Sequence, residues 1–187
     1  AIAVKAEGVA GGDYDNDGDF DLAVAMVGVG EHEVVLRNDG GGTFTKLTLT
    51  GTGGQSYSVA WGDYDNDGNL DLASGSEEGL VLARNNGNGT FTASTLTAAG
   101  NLCWGVAWGD YDNDGDLDLA VARRGGSASR VMRNDGGGEF AAVTLAPATA
   151  DGRQIAWGDY DGDGALALAV GNYGSPDSEA LFRNDGG

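Results

Sequence analysis

The chain has 187 residues, of which 35 are glycine, and its formal net charge is −19. A chain of this length is expected to form one domain with a sizeable core, and so acidic a surface argues against a nucleic-acid partner, whose phosphates it would repel. The single cysteine, Cys103, rules out an internal disulfide, and no apolar run approaches the 18 residues of a membrane span, so no membrane insertion is expected.

Internal repeats organise the sequence into one repeat domain, with repeats at about 1–50, 51–97, 98–146 and 147–187. Each repeat contains an acidic nine-residue loop, which begins at Asp13, Asp63, Asp110 or Asp159. Each also contains an Arg-Asn-Asp/Asn-Gly turn, which begins at Arg37, Arg84, Arg133 or Arg183. Self-similarity at a period near 50 residues predicts an array in which each repeat is one structural unit.

Four short strands, named a to d, are predicted in each repeat, because short apolar runs alternate with glycine turns and no helical period is present. The predicted ranges are 9–11, 59–61, 106–108 and 155–157 for strand a; 21–26, 71–74, 118–122 and 167–170 for b; 34–37, 80–84, 130–133 and 180–183 for c; 43–50, 90–97 and 139–146 for d. Strands b and c are apolar on both faces, as a sheet between two other sheets requires. The pattern predicts an all-β fold, a β-propeller built of four four-stranded blades.

The fourth repeat lacks an outer strand, since Gly187 aligns with Gly41 and nothing corresponds to residues 42–50. Strand c of that repeat therefore has an open edge, which is a template for another strand. Residues 1–6 alternate suitably to complete it, either in the same chain as a four-bladed ring or in another chain as an intermolecular assembly. The alternative is that the four blades belong to a larger array, and a chain that starts with Ala1 fits a processed or excerpted product.

The acidic loop indicates metal binding. Carboxylates at its positions 1, 3, 5 and 9 repel one another unless they surround a hard divalent cation, which takes six to eight oxygen ligands. Glycine at position 6 supplies a sharp turn. An EF-hand is excluded because position 12 is Val or Ser instead of a bidentate Glu. A solvated acidic turn would explain one copy, but four copies in register predict about four calcium sites.

The loop and the Arg-Asn-Asp-Gly turn together resemble FG-GAP or VCBS-type repeats, which are similar to the calcium-binding blades of integrin α-subunit β-propellers. The resemblance implies calcium held by side chains at positions 1, 3, 5 and 9 and by the carbonyl at position 7, and the family usually closes seven blades. By position, the ligands are Asp13, Asp15, Asp17, Asp19 and Asp21; Asp63, Asp65, Asp67, Asn69 and Asp71; Asp110, Asp112, Asp114, Asp116 and Asp118; Asp159, Asp161, Asp163 and Ala165. Ala167 stands at position 9 of the fourth loop, so the fourth site is expected to be the weakest.

A ligand-binding face is predicted opposite the acidic loops. All length variation among the repeats lies in the b–c connections, and function tends to reside in variable loops on a rigid scaffold. In an up-and-down blade these connections share a face with the d–a connections. Besides His32, which is interpreted as a solvated loop residue, this face collects the candidate ligand-binding residues Tyr57, Trp104, Arg123, Arg124, Arg153 and Tyr173.

Catalysis finds little support, because the Ser and Cys side chains lack a base at a recognisable spacing. A calcium ion with a full oxygen shell also has no open coordination position. The repeated Trp61, Trp108 and Trp157 are interpreted as packing between blades, and the recurrent Arg of strand c as a structural hydrogen-bonding residue. The chain is therefore predicted not to be an enzyme.

The leading functional prediction is a non-catalytic, extracellular or cell-surface module for adhesion or ligand binding, whose calcium ions rigidify the blades. Asp-rich calcium modules of low affinity work where calcium is millimolar. Two alternatives stay open: a structural subunit that self-assembles by strand pairing into a cell-surface polymer or filament, and a carbohydrate-binding lectin. The partner is a protein or glycan, or a further copy in a homo-oligomer, and Asn88 begins a glycosylation sequon.

Overall fold

The computed structural model describes residues 5–28, 30–145, 151–174 and 179–184. Their strands form four antiparallel sheets, or blades, each built from strands that are consecutive in the chain. The strands are β1 (Ala6–Gly12), β2 (Asp21–Met26), β3 (Val34–Asn38) and β4 (Phe44–Thr48); β5 (Ser56–Gly62), β6 (Asp71–Ser76), β7 (Leu80–Asn85) and β8 (Phe91–Thr95); β9 (Cys103–Gly109), β10 (Asp118–Arg123), β11 (Arg130–Asn134) and β12 (Phe140–Thr144); β13 (Asp151–Gly158), β14 (Ala167–Tyr173) and β15 (Ala180–Phe182). A 3-10 turn at Thr97–Ala99 precedes β9.

The up-and-down order confirms the predicted strands a to d and the all-β propeller blade. Strand a is longer than predicted because its pairing with strand b continues past a register shift, as at Ala6 to Gly8 in β1. Strand d is shorter than predicted at both ends, for example 44–48 instead of 43–50. No helix within the described residues is long and apolar enough to cross a membrane.

The fourth blade has three strands in its described part, and the predicted absence of its strand d stays a prediction. The prediction that residues 1–6 complete this blade is wrong for residues 5 and 6. Ala6 pairs with Met26 in the first blade, and the Lys5 carbonyl accepts a 3.0 Å hydrogen bond from the Val27 amide. Residues 1–4 lie outside the described part of the chain.

Adjacent blades pack face to face through apolar side chains. Strand a of each blade contacts strand a of the next, from β1 to β5 to β9 to β13. Buried clusters fill the three interfaces, with Tyr14 and Val59 in the first, Tyr64 and Val106 in the second, and Ile155 in the third. The core of the molecule is therefore a series of layers between sheets.

The two end blades leave their outer faces uncovered. Val9 is 66% exposed, although the corresponding Val59 and Val106 are each 7% exposed. Likewise Tyr160 is 55% exposed, whereas Tyr14 is 3% exposed. The described blades thus form an open arc. Within the described residues, the four blades do not close into the ring that the sequence analysis gave as one possibility.

Candidate metal sites and ligand-binding face

Each acidic loop is folded around its own first carboxylate. In the third loop, Asp110 accepts hydrogen bonds of 3.1 Å from the Asp114 amide and of 3.1 Å from the Gly115 amide. The same pair of bonds recurs in the first two loops, at Asp13 and Asp63. A positive φ at Asn113 (59°) and Gly115 (94°) permits this tight curve. The loop therefore positions its first carboxylate before any ion binds.

Three carboxylates converge in every loop, with one oxygen of each within 4.8 Å of the others. The converging sets are Asp13, Asp15 and Asp17; Asp63, Asp65 and Asp71; Asp110, Asp112 and Asp118; Asp159, Asp161 and Asp163. Positions 1 and 3 thus belong to all four sets, position 9 to the second and third, and position 5 to the first and fourth. Converging anionic oxygens are the donors that calcium prefers.

The second loop contains a further sign of cation binding. Oδ1 of Asp65 is shielded from solvent and has no hydrogen-bond partner among the described residues. A buried carboxylate oxygen without a donor is unfavourable unless a cation meets it. The residues therefore fit a calcium ion, with Asp63, Asp65 and Asp71 as its side-chain ligands.

The carboxylate at position 9 is fully buried in the first three loops. Asp71 accepts hydrogen bonds from the amides of Tyr64 (3.2 Å) and Asn85 (2.7 Å), which join the loop to strand c. Burial nevertheless raises the pKa of Asp71 to about 7 and that of Asp118 to about 6. Burial thus disfavours the ionised form of these carboxylates, and a bound cation would favour it. Ala167 removes this carboxylate from the fourth loop.

The residue at position 7 makes hydrogen bonds within its own loop and also to the loop of the neighbouring blade. The Asp116 amide donates to Asp114 Oδ1 (2.9 Å), and its side chain accepts a 2.7 Å bond from Asn66 in the preceding blade. A second contact between loops uses position 6, where the Gly68 carbonyl accepts a 3.3 Å hydrogen bond from Asn16 of the preceding blade. The role of the position-7 carbonyls of Asp19, Asn69, Asp116 and Ala165 as ligands stays a prediction.

The recurrent arginine of strand c makes structural contacts, as predicted. Arg37 and Arg133 pair with the aspartate two residues later in their own turns, at 2.7 and 2.9 Å. Arg84 instead pairs with Asp65 and Asp67 of its acidic loop. This last contact places a positive charge beside the second metal site.

Each repeated tryptophan packs between blades, which confirms its predicted role. The rings of Trp61, Trp108 and Trp157 stack on Tyr14, Tyr64 and Tyr111 of the preceding blade at interplanar angles of 6°, 8° and 14°. Their Nε1 atoms donate to the carbonyls of Ala10, Ala60 and Ala107 at 3.3, 3.1 and 3.0 Å. One side chain thus supplies both apolar contact and an inter-blade hydrogen bond.

The sequence analysis missed a second inter-blade contact, made by the asparagine after the recurrent arginine. Asn85 and Asn134 each donate a 2.8 Å hydrogen bond to the carbonyl of Tyr14 and Tyr64, respectively, in the preceding loop. Asn184 donates to the Tyr111 carbonyl in the same way. The presence of asparagine at this position in all four repeats was the available signal.

On the opposite face, strand a carries a register shift at the same position in every blade. The residue inside the shift is Glu7, Tyr57, Trp104 or Arg153. A β-bulge turns the extra side chain in a new direction, and bulges are common beside functional sites. Because the blades are adjacent, the bulges place Tyr57, Trp104 and Arg153 in one row.

This row is closely stacked and has two further members, Arg124 just after β10 and Tyr173 at the end of β14. The rings of Tyr57 and Trp104 have centroids 3.9 Å apart at an angle of 15°. Arg153 Cζ lies 4.5 Å from the Trp104 centroid and 4.2 Å from the Tyr173 centroid, and Arg124 Cζ lies 4.7 Å from Trp104. Five of the six predicted ligand-binding residues therefore meet, and we call them the aromatic–arginine row.

Two residues predicted for this face have structural contacts. Arg123 donates to the carbonyls of Asn101 (3.2 Å) and Ala128 (3.4 Å), so its guanidinium fastens two connections together. Its burial, together with nearby Arg130, lowers the pKa of Arg123. His32 is partly buried and hydrogen-bonded to the Thr52 carbonyl at 2.5 Å, so it is not a freely solvated loop residue.

Acidic groups border the row at both ends. The Tyr57 hydroxyl donates to Glu77 at 2.8 Å, and desolvation together with this bond raises the pKa of Tyr57 to about 12. Arg124 Nε lies 3.6 Å from Asp151. Arg153 has no carboxylate within ion-pair distance in the part of the chain that the structure describes.

The FG-GAP-like repeat family matches this sequence at residues 13–74, 63–121 and 110–170, three overlapping stretches that each contain two acidic loops. The chain belongs to the FG-GAP-like repeat family. No curated protein matches the sequence. The repeated loop and turn that suggested this family are thus confirmed as its signature.

Solved structures of low sequence identity share the fold. An Agrocybe aegerita lectin that recognises non-reducing terminal N-acetylglucosamine is 20% identical, with a TM-score of 0.60 over 89% of this chain and 48% of the lectin. A Bacillus licheniformis rhamnogalacturonan lyase is 16% identical, with a TM-score of 0.54 over 90% of this chain and 41% of the lyase. The chain therefore spans less than half the length of either protein, and at these identities the likeness concerns the fold alone.

Proposed function

We propose that this FG-GAP-like repeat chain is a non-catalytic calcium-binding module that binds a ligand outside the cell or at its surface. The observation that carries the proposal is the convergence of three carboxylates in each of four equivalent loops. Structural binding modules with Asp-rich calcium loops suit compartments where calcium is millimolar. Calcium, when bound, neutralises these carboxylates and fixes the loops.

The loops brace the blades and, through them, the opposite face. Each loop begins where strand a ends and closes where strand b begins, and its position-2 carbonyl is held by the next blade, as Tyr64 is by Asn134. The aromatic–arginine row lies near the other ends of the same strands a. Rigid strands between the two faces would hold the row in one geometry and reduce the entropy lost on ligand binding.

A binding role fits the reactive groups better than an enzymatic one. Cys103 is fully buried, and burial raises its pKa to about 11, so its thiol stays protonated. The sulfur donates to the Gly100 carbonyl at 3.3 Å. The two carboxyl groups with strongly raised pKa values, Asp71 and Asp118, belong to the acidic loops.

Two narrower functions have specific support. A glycan ligand is favoured by the exposed ring of Tyr173 and by the shared fold of a lectin. Self-assembly is favoured by the uncovered faces around Val9 and Tyr160 and by the outer edge of β15, which has no partner strand among the described residues. Of the two, glycan binding uses a built cluster of side chains, so we place it first.

Calcium titration followed by native mass spectrometry and a glycan array tests the proposal. The protein should bind up to four calcium ions, and the array should show a ligand that is retained in calcium and lost in a chelator. Absence of calcium binding at millimolar concentration would overturn the metal assignment. Ligand binding that persists unchanged in the chelator would overturn the bracing role.

A further inference from the structure

We propose that Arg153 and Tyr173 form a subsite for the carboxylate of an acidic sugar, which narrows the ligand class and rests on the proposed binding function. The guanidinium of Arg153 lies over two aromatic rings, 4.5 Å from Trp104 and 4.2 Å from Tyr173. Stacking uses the flat faces of a guanidinium and leaves its N–H groups directed outward in the same plane. That planar fork matches a carboxylate.

Among the described residues, Arg153 differs from the other stacked arginine in having no acidic partner. Arg124 is paired with Asp151, whereas the described residues place no carboxylate within ion-pair distance of Arg153. In a chain with 29 acidic and 10 basic residues, an arginine without an acid is available to an external anion. Such an arginine attracts a carboxylate locally despite the net charge of −19.

Two donors in this cluster lack acceptors. Within the described residues, Nε of Arg153 and Nε1 of Trp104 are shielded from solvent and have no hydrogen-bond partner. Buried donors without acceptors are uncommon in folded proteins, and a water molecule, an ion or a ligand is a usual explanation for one. A ligand oxygen that displaced the groups shielding these two atoms would supply the missing acceptor.

The exposed ring of Tyr173 favours a sugar as the ligand, rather than an inorganic anion or an acidic peptide. Tyr173 is 63% exposed, and an exposed aromatic face is a surface on which the apolar side of a sugar ring stacks. A uronate unit has this apolar side and a carboxylate at its edge. Sulfate has no apolar face, and a peptide with many carboxylates would be repelled by the acidic protein surface.

Isothermal titration in saturating calcium tests the subsite with matched probes. The acidic probe is a trisaccharide with one terminal glucuronate, and its methyl ester is the neutral probe of the same shape. Inorganic sulfate and a short glutamate-containing peptide represent the other sources of an anion. The acid should bind about tenfold or more tightly than the ester, and more tightly than either of the other anions.

Variants of Arg153 and Tyr173 test whether these two residues cause the difference in affinity between the acid and the ester. Arg153→Gln should weaken binding of the acid about tenfold or more and leave the ester unchanged, while Arg153→Lys should weaken the acid less because it keeps the charge without the fork. Tyr173→Ala should weaken both sugars, and it removes an exposed ring that the fold does not need. Lys46→Gln, which removes an exposed positive charge on β4, is the control and should leave affinity unchanged.

Three results would overturn the inference. Equal binding of acid and ester would assign the site to a neutral sugar, and stronger binding of the peptide would assign it to a protein. If the protein still binds calcium but none of the probes, the proposed subsite is wrong, whereas the calcium-binding part of the proposed function still stands. Melting curves of all variants show whether the fold is retained.

Discussion

The side-chain amide of Asn134 donates a 2.8 Å hydrogen bond to the main-chain carbonyl of Tyr64, 70 residues earlier in the chain. Tyr64 follows Asp63, the first carboxylate of the second acidic loop. The turn of one blade therefore supports the metal loop of the preceding blade. Because Asn85 does the same for Tyr14, the geometry of the acidic loops is coupled to blade packing along the arc.

Asn134→Ala is expected to lower the free energy of unfolding by about 1–3 kcal/mol, because it leaves the buried Tyr64 carbonyl without this donor. Asn38→Ala is the matched control. Asn38 occupies the same position in the first blade, where its side chain donates to the Phe20 carbonyl at 3.3 Å and accepts from the Gly40 amide at 3.1 Å. Asn134 makes the equivalent two bonds besides its bond to Tyr64, so the loss for Asn38→Ala should be smaller than for Asn134→Ala. Urea denaturation in calcium measures both, and equal losses would contradict the inter-blade role.

Ser74→Val is expected to destabilise the protein even though three blades have valine at this position, at Val24, Val121 and Val170. The Ser74 hydroxyl donates to the fully buried Glu33 carboxylate, which also accepts from Ser56. Losing one donor to a buried carboxylate should reduce the unfolding free energy by about 1–3 kcal/mol.

The double variant Glu33→Leu with Ser74→Val separates this loss from a packing effect. It installs a leucine, as at the equivalent Leu80, and the valine of the other three blades, and it removes the buried carboxylate together with one of its two donors, the Ser74 hydroxyl. Replacing a buried polar network by apolar groups is often neutral or stabilising. Stability should therefore recover relative to Ser74→Val alone, and a double variant that is less stable than either single one would contradict this account.

Ala167→Asp is expected to strengthen the fourth calcium site. It restores the position-9 carboxylate that Asp21, Asp71 and Asp118 supply in the other loops. Calcium affinity increases with the number of charged ligands, so calorimetry should show one weaker site in the native chain and about tenfold tighter binding there in the variant. Ala169→Asp, at an exposed position two residues along β14, adds the same charge outside the loop and should leave that site unchanged. Four equal sites in the native chain would contradict the ranking.

Without calcium, stability should increase as the pH falls from about 7 to about 4. Burial raises the pKa of Asp71 to about 7 and that of Asp118 to about 6. Since both pKa values are higher in the folded than in the unfolded chain, the folded state binds more protons over this window and gains stability on acidification. Above about pH 7 both carboxylates are charged, and the destabilisation is complete.

Calcium should reverse this trend, because it binds the ionised carboxylates and competes with protons. Melting temperatures across the same pH window, in calcium-free and calcium-saturated buffers, provide the measurement. Asp71→Asn should flatten the calcium-free profile. A calcium-free protein that melts highest near neutral pH would contradict the assignment.

The strands and acidic loops could be predicted because their determinants are local. Loop ligands recur at fixed spacing, and glycine and asparagine occupy the positions that require a positive φ, such as Gly115 and Asn113. The inter-blade packing of Trp108 was also predictable, since it occupies the same place in three repeats. Local patterns thus determine most of a blade.

The bulges and the open arc could not be predicted, because both depend on relations between blades. Glu7, Tyr57, Trp104 and Arg153 share a bulge position without sharing a residue type. Ring closure requires complementary end faces, and the first blade has Gly11 where the others have a tryptophan. The carbonyl contacts of Arg123 could not be predicted, because a loop arginine that fastens its own connections has the same sequence signal as one that faces a ligand.

Thermal unfolding with and without calcium measures whether the four acidic loops hold calcium as part of the fold. Each site filled at ten times its Kd adds about 1.4 kcal/mol, so several sites together should raise the melting temperature markedly. The account predicts a large fall in melting temperature in a chelator at neutral pH and full recovery when calcium is restored. An identical melting temperature in chelator and in millimolar calcium would contradict it.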